Sequence, residues 1–353
     1  MSKDSIASFA GNISIKKAYK KVCKGLFNIG VTAEMRGRKG KEIQDVFNTE
    51  HAAASNQMDG STSADPNPAP HPQLPEVGSS SDAENTKGLV STLEYGRNIN
   101  LVDGQGETAL HKAAAEKGRE DMVELLLSKG ATLEAEGADR CTPLHYAASN
   151  GNTSTVELLL SKGALLEAKQ ADGRTPLHQA AQGGHTTTVE LLLSKGASLE
   201  TKGWDGGTPL HYAAWGGYTT TVELLLSKGA LLETKGMLEM TPLECAVEAG
   251  HTSTVGLLLS KGASVHTRNS AGWTPMHRAA TFGYTIIMEL LLSKGALLEA
   301  QDIVGWTPLH MAARCGHTGT VKLLLSKGAS AEATDEDGQT PLDVATIEWP
   351  PVV

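Results

Sequence analysis

Aromatic side chains are scarce in this chain: Phe, Trp and Tyr together make up 4% of 353 residues. Aliphatic side chains must therefore fill most of any core. Cysteine is scarce too. Cys23, Cys141, Cys245 and Cys315 form no C-x-x-C pair, and scattered thiols in so long a chain fit a reducing compartment rather than a disulfide framework. No apolar run approaches the roughly eighteen residues that a membrane helix needs. The opening "MSKDSIASFAGNISIKKAYKK" has no apolar core before a cleavage site, so no secretory leader is expected. Asn12 and Asn152 match the N-glycosylation pattern, which carries little meaning without secretion. There is no P-loop, no GxSxG, no HExxH and no zinc-ligand spacing, so the common hydrolytic and nucleotide-dependent chemistries have no anchor. No cofactor, metal site, catalytic residue or small-molecule substrate is expected.

Charge is present but uneven. The net charge is −9. Residues 1–51 hold ten Lys/Arg against five Asp/Glu, and the remainder holds 21 against 35, so a head of +5 precedes a body of −14. An acidic body repels phosphates, which argues against a nucleic-acid partner. Within the head, 12–27 ("NISIKKAYKKVCKGLF") places Ile15, Tyr19, Val22, Cys23, Leu26 and Phe27 near one helical face, with lysines over much of the rest. Such a segment suits docking on a partner, lying on an anionic membrane surface or, through "RGRKGK", nuclear import. Docking ranks first. The expected location is intracellular, cytoplasmic before nuclear.

What the chain has in abundance is itself. "LLLSKGA" begins at Leu125, Leu158, Leu191, Leu224, Leu257, Leu290 and Leu323, every 33 residues. A companion T-x-L phrase begins at Thr108, Thr142, Thr175, Thr208, Thr241, Thr274, Thr307 and Thr340, again every 33 residues after a first interval of 34. The period and the phrase "G-x-TPLHxAAxxGH" resemble the ankyrin repeat over about 87–347. The resemblance implies an all-α solenoid of stacked helix-turn-helix units with β-turn fingers, about seven full repeats plus partial terminal ones. The division expected is a basic helical segment at 1–50, a disordered Pro/Ser-rich linker at 51–86, the repeat domain at 87–347 and a tail at 348–353.

Residue chemistry explains the phrase. In 173–203, Gly173 can take positive φ, Thr175 can cap a helix, and Pro176 suits its first position. Leu177, Ala180 and Ala181 share one face, and the small alanines let helices approach. Thr187, three residues before Glu190, has capping-box spacing for a second helix. Val189, Leu192 and Leu193 give it an apolar stripe, and Gly196 supplies a left-handed stop.

In "TPLHMAARCGH" (307–317), two histidines and a cysteine could suggest metal or nucleophile chemistry. Yet His111, His145, His178, His211, His277 and His310 all follow the same Leu. Helices stack about 8–10 Å apart, too far for neighbouring imidazoles to share a metal bound at about 2 Å. The resemblance implies instead that each bonds the Thr of its own motif and backbone of the next repeat. His185, His251 and His317 open second helices, and Cys315 reads as a surface thiol. Glu134, Glu167, Glu200, Glu233, Glu299 and Glu332 recur at one position and read as a solvated column.

Departures mark the ends and one middle repeat. Residues 89–106 align with a second helix lacking its first, as an N-terminal cap would. The last motif carries Asp343 for His and meets Pro350 before a second helix. In repeat five the turn glycine becomes Glu239 and the His becomes Glu244, so the Thr–His bracket is expected to fail at Thr241.

Recognition must come from what varies. The resemblance implies a concave face built from finger tips and exposed first-helix positions. Those positions hold Trp204, Met237 and Ile303 at the tips, Met240, Trp273 and Trp306 just before the motif, and Trp215, Phe282 and Arg314 after the alanine pair. Trp and Arg dominate binding hot spots. The expected function is a non-enzymatic, monomeric scaffold that binds a protein partner there. Two other frames are a sensor part of a larger fungal-type receptor and an adaptor tethered to a membrane surface.

Overall fold

The structure, a computed structural model, describes Val46 and residues 98–346. The expected basic segment (apart from Val46), the linker, the start of the N-terminal cap and the tail lie outside the described residues. Among the described residues the regular structure is entirely helical: fifteen α-helices and two short 3-10 turns. They divide into two compact units, 98–180 with 187–197, and 181–186 with 198–346.

The first unit holds α1 (Ala109–Ala115), α2 (Glu120–Ser128), α3 (Pro143–Ser149) and α4 (Thr153–Ser161), with most of α5 (Pro176–Gln182) and α6 (Thr186–Ser194). The second holds α7 (Pro209–Trp215), α8 (Thr219–Ser227), α9 (Pro242–Glu248), α10 (Thr252–Ser260), α11 (Pro275–Phe282), α12 (Thr285–Ser293), α13 (Pro308–Cys315), α14 (Thr318–Ser326) and α15 (Pro341–Thr346). Odd-numbered helices from α1 to α13 are the first of each pair; α1, α3, α7, α9, α11 and α13 pack against their own second helices, and first helices stack on one another from α1 to α3 and from α7 through to α15.

The same residues build each pair. The Thr before the helix is extended, with φ −97° and ψ 166° at Thr208, and Pro209 then occupies the first turn. Leu210, Ala213 and Ala214 are buried, as are Val222 and Leu225 of the partner helix. Each such Leu, moved fully out of water, contributes about 1.5–3 kcal/mol. Glycine ends the pair: Gly229 has φ 98°, a value a Cβ disfavours.

Second helices do not open with the expected box. α6 already begins at Thr186, so Thr187 lies inside the helix and cannot cap it. The threonines pair between repeats instead. Thr153 Oγ1 lies 2.8 Å from Thr188 Oγ1, Thr186 Oγ1 is 2.8 Å from Thr221 Oγ1, and Thr219 Oγ1 is 2.9 Å from Thr254 Oγ1. Asn152 is also structural. It is buried, and its amide donates to the carbonyls of Ala114 and Ala115 at 2.9 Å, so it presents no glycosylation acceptor.

Candidate partner-binding face

At repeat six, His277 Nδ1 accepts the Thr274 N–H at 3.1 Å and lies 2.8 Å from its hydroxyl. His277 Nε2 lies 3.0 Å from the Trp306 carbonyl. His111, His145, His211 and His310 repeat the pattern, reaching the carbonyls of Cys141, Arg174, Met240 and Gln339. An N–H donor on Nδ1 and a carbonyl on Nε2 fix the neutral ring protonated at Nε2. Burial lowers the pKa of each, to about 4 for His145 and His277. These rings are inter-repeat struts and are closed to substrate. His251 and His317 do similar work, with Nε2 2.9 Å from the carbonyls of Trp215 and Thr281.

Three thiols lie among the described residues. Burial pushes Cys141 up to about 11 and raises Cys245 as well; Cys315 is half-buried. Among the described residues no cluster of three or more His, Cys, Asp or Glu could hold a metal ion, and no helix is long and apolar enough to cross a membrane.

Three expectations need correction. The Thr bracket of repeat five does form, with a carboxylate in place of imidazole: Glu244 Oε2 accepts the Thr241 N–H at 2.8 Å and its hydroxyl at 3.3 Å. The glutamate column is not merely solvated. Glu134, Glu200, Glu233 and Glu299 accept the N–H of Leu165, Leu231, Ser264 and Ser330 at 2.8–2.9 Å, each 31 residues onward. Finally, Met240 and Trp273 are buried, at 1% and 8% exposure, so neither stands out as an exposed recognition residue.

The tryptophans before the motif have a structural task. Trp273 Nε1 donates to Asp302 Oδ2 at 3.2 Å, and Trp306 Nε1 donates to Asp335 Oδ2 at 3.0 Å. Each pins the following finger, and the Asp in turn caps its own turn: Asp302 Oδ1 accepts Val304 and Trp306 N–H at 2.9 Å. Ile303 is half-buried beneath a backbone bond from its N–H to the Ala271 carbonyl, 3.1 Å. Arg314 is half-buried, and its Nη1 donates to the Val344 carbonyl at 3.3 Å. Met237 lies in the finger's 3-10 turn.

Trp204, Trp215 and Phe282 remain exposed, at 82%, 41% and 43%. Leu238, beside Met237 at the repeat-five tip, joins them at 77%. The finger also lacks its glycine, which is Glu239 here. Most fingers place one Gly at positive φ, as Gly206 (80°) and Gly305 (85°) do. In repeat five Leu238 and Glu239 both sit there, at 51° and 61°, the two-residue signature of a type I′ turn. Around this finger lies a pocket of about 570 Å³ lined by Gln182, Asp205, Tyr212, Trp215, Leu238, Met240 and Glu248. Tyr212 and Met240 are buried and form its floor. Asp205 Oδ2 accepts the Tyr212 hydroxyl at 2.5 Å, and Glu248 is paired with Arg278.

Comparison with known proteins gives the family. Profiles of ankyrin repeats match 80–170, 164–236 and 296–348 in one form and 243–292 in another. The chain belongs to the ankyrin-repeat family. The solved ankyrin repeat domain of human ASB11 is similar, with 28% identity and a TM-score of 0.58, over 64% of this chain and 99% of that one. No curated protein matches. Ankyrin repeats are in general protein–protein interaction modules, and their fold is typically a non-catalytic scaffold.

Proposed function

We propose that this chain is a non-enzymatic scaffold that grips a protein partner with the fingers and first helices of repeats four to six. The basic segment before the repeats adds a second contact or sets location. One observation carries this reading: large apolar side chains stand exposed at variable positions while the framework around them is nearly invariant. Trp204, Trp215, Leu238 and Phe282 are 82%, 41%, 77% and 43% exposed, and exposed apolar surface of this kind marks interaction sites. Trp273, Trp306 and Met240 support the face from beneath rather than contact the partner.

The test is affinity purification from native lysate, read by mass spectrometry. The bait is the full chain, beside a variant with Trp204, Trp215 and Phe282 changed to Ala and shown by circular dichroism to be equally folded. The expected result is loss of specific proteins from the variant. Identical protein lists would sink the proposal.

A further inference from the structure

The pocket at the repeat-five finger has a composition that selects its occupant. Trp215 and Leu238 stand over a floor of Tyr212 and Met240, yet two carboxylates, Asp205 and Glu248, line the pocket and no Lys or Arg does. Arg278 offsets Glu248 from the side, through Oε2. Asp205 receives only uncharged donors, the Tyr212 hydroxyl and the Gly207 N–H. One net negative charge is left facing an aromatic niche.

We infer that this pocket takes an arginine side chain presented by the partner segment. The inference rests on the scaffold reading above and names the chemistry of its anchor. A wholly apolar occupant would strip water from Asp205 and Glu248 and return no hydrogen bond, which is costly. A cation on an apolar stem answers both surfaces at once. Arginine fits better than lysine because its flat, weakly hydrated guanidinium stacks on rings and offers donors in a fork to carboxylates.

The molecule already pairs an arginine with a ring and a carboxylate at repeat six. The guanidinium carbon of Arg278 lies 5.8 Å from the centre of the Trp273 ring while the same group pairs with Glu248. There the arginine comes from the chain itself and is buried. Two repeats back the equivalent position is Tyr212, whose ring is buried and whose hydroxyl goes to Asp205, so rings and a carboxylate meet there without a cation from the chain itself. The rim supports a binding role. Leu238 is 77% exposed, a large solvated apolar residue at the edge of the pocket, and exposed apolar surface of this kind marks interaction sites.

The test uses the immobilised full chain and pools of fluorescent heptapeptides, randomised around a fixed central Arg, Lys, citrulline or Leu. The Arg pool should be retained about tenfold over the citrulline pool. That preference should vanish in Trp215→Ala and, separately, in Asp205→Asn, both surface changes whose folding is checked by thermal melts. Equal retention of Arg and citrulline pools overturns the proposal, as does a preference that survives both variants. If the Leu pool binds best and is lost on changing Trp204 and Trp215, the scaffold reading stands and the arginine assignment falls. If no pool responds to these variants, both fail. Arg retention that appears only after Lys16, Lys17, Lys20, Lys21 and Lys24 become Glu makes the chain's own basic segment the occupant, and that too overturns the proposal.

Discussion

Repeats five and six solve one problem with different acids and bases. In repeat six, His277 holds Thr274 with Nδ1 and donates from Nε2 to the Trp306 carbonyl of the next repeat. In repeat five, Glu244 holds Thr241 with Oε2, while its buried Oε1 finds no partner. Both side chains are fully buried. Closing the helix N-terminus needs only an acceptor three residues on, which a carboxylate supplies as well as an imidazole. Tying one repeat to the next needs a donor at the far end, and an ionised carboxylate has none. Repeat five keeps the local half of the bracket and loses the long-range half.

Acid should separate the two repeats most strongly. Burial lowers the histidine pKa values, to about 4 at His145 and His277. A depressed histidine contributes stability that is present above its unfolded value, about 6.5, and is lost as pH falls toward the folded value. Each unit corresponds to about 1.4 kcal/mol, so titration from pH 7 to 4 should remove several kcal/mol. Burial raises Glu244, with the hydrogen bonds from Thr241, then Arg278 and Lys235, pulling the other way and Glu248 and Cys245 nearby. A raised carboxylate contributes stability that is present at low pH and is lost as pH rises through its folded value. Hydrogen exchange resolved by repeat should show α11 and α13 losing protection on acidification while α9 resists. Uniform loss along the chain would refute the contrast.

Exchanging the side chains probes the same difference directly. His277→Glu should cost roughly 2–3 kcal/mol at pH 7, since it places an ionisable carboxylate in a dry site and leaves the Trp306 carbonyl without its donor. Lowering the pH to 5 should recover part of that loss in urea unfolding. Glu244→Gln should do the reverse on a smaller scale. The amide keeps an acceptor for Thr241 and adds a donor, so a gain of about 1 kcal/mol is expected at pH 8, shrinking as pH falls and Glu244 protonates. A Gln variant less stable at pH 8 would show that the charge of Glu244 is useful, through Arg278.

Much of this was legible from a period of 33 residues, because the helix pairs, the glycine stops and the Thr–His brackets all recur with it. The face was legible only in part. Variation at a position shows that no framework contact fixes the residue type, and exposure does not follow from that. Trp273 and Trp306 vary yet are committed, and a signal for this was present: each has an Asp 29 residues onward, Asp302 and Asp335. Where that Asp is missing the position holds other residues, such as Met240. The glutamate column was misread for a similar reason, since its partners are backbone N–H groups 31 residues away, which no side-chain pattern reveals. Glu244 stood out as a departure, but that its carboxylate would close the bracket depended on the geometry of one oxygen.

The smallest expected effect concerns the finger where repeat five departs from its neighbours. Leu238 and Glu239 occupy left-handed backbone that the other fingers of its unit assign to a single glycine. Leu238→Gly should therefore stabilise the chain by about 0.5–1 kcal/mol, since the glycine accepts φ near 51° without a Cβ penalty and little packing is lost from a side chain 77% exposed. If the finger is kept in this form for binding, the same change should remove the rim of the Trp215 pocket and weaken retention of arginine peptides. Thermal melting and peptide retention, measured on one protein preparation, then move in opposite directions. A variant that melts higher and binds equally well would mean that the strained leucine has no part in recognition, and that repeat five differs from its neighbours in its Thr241 bracket alone.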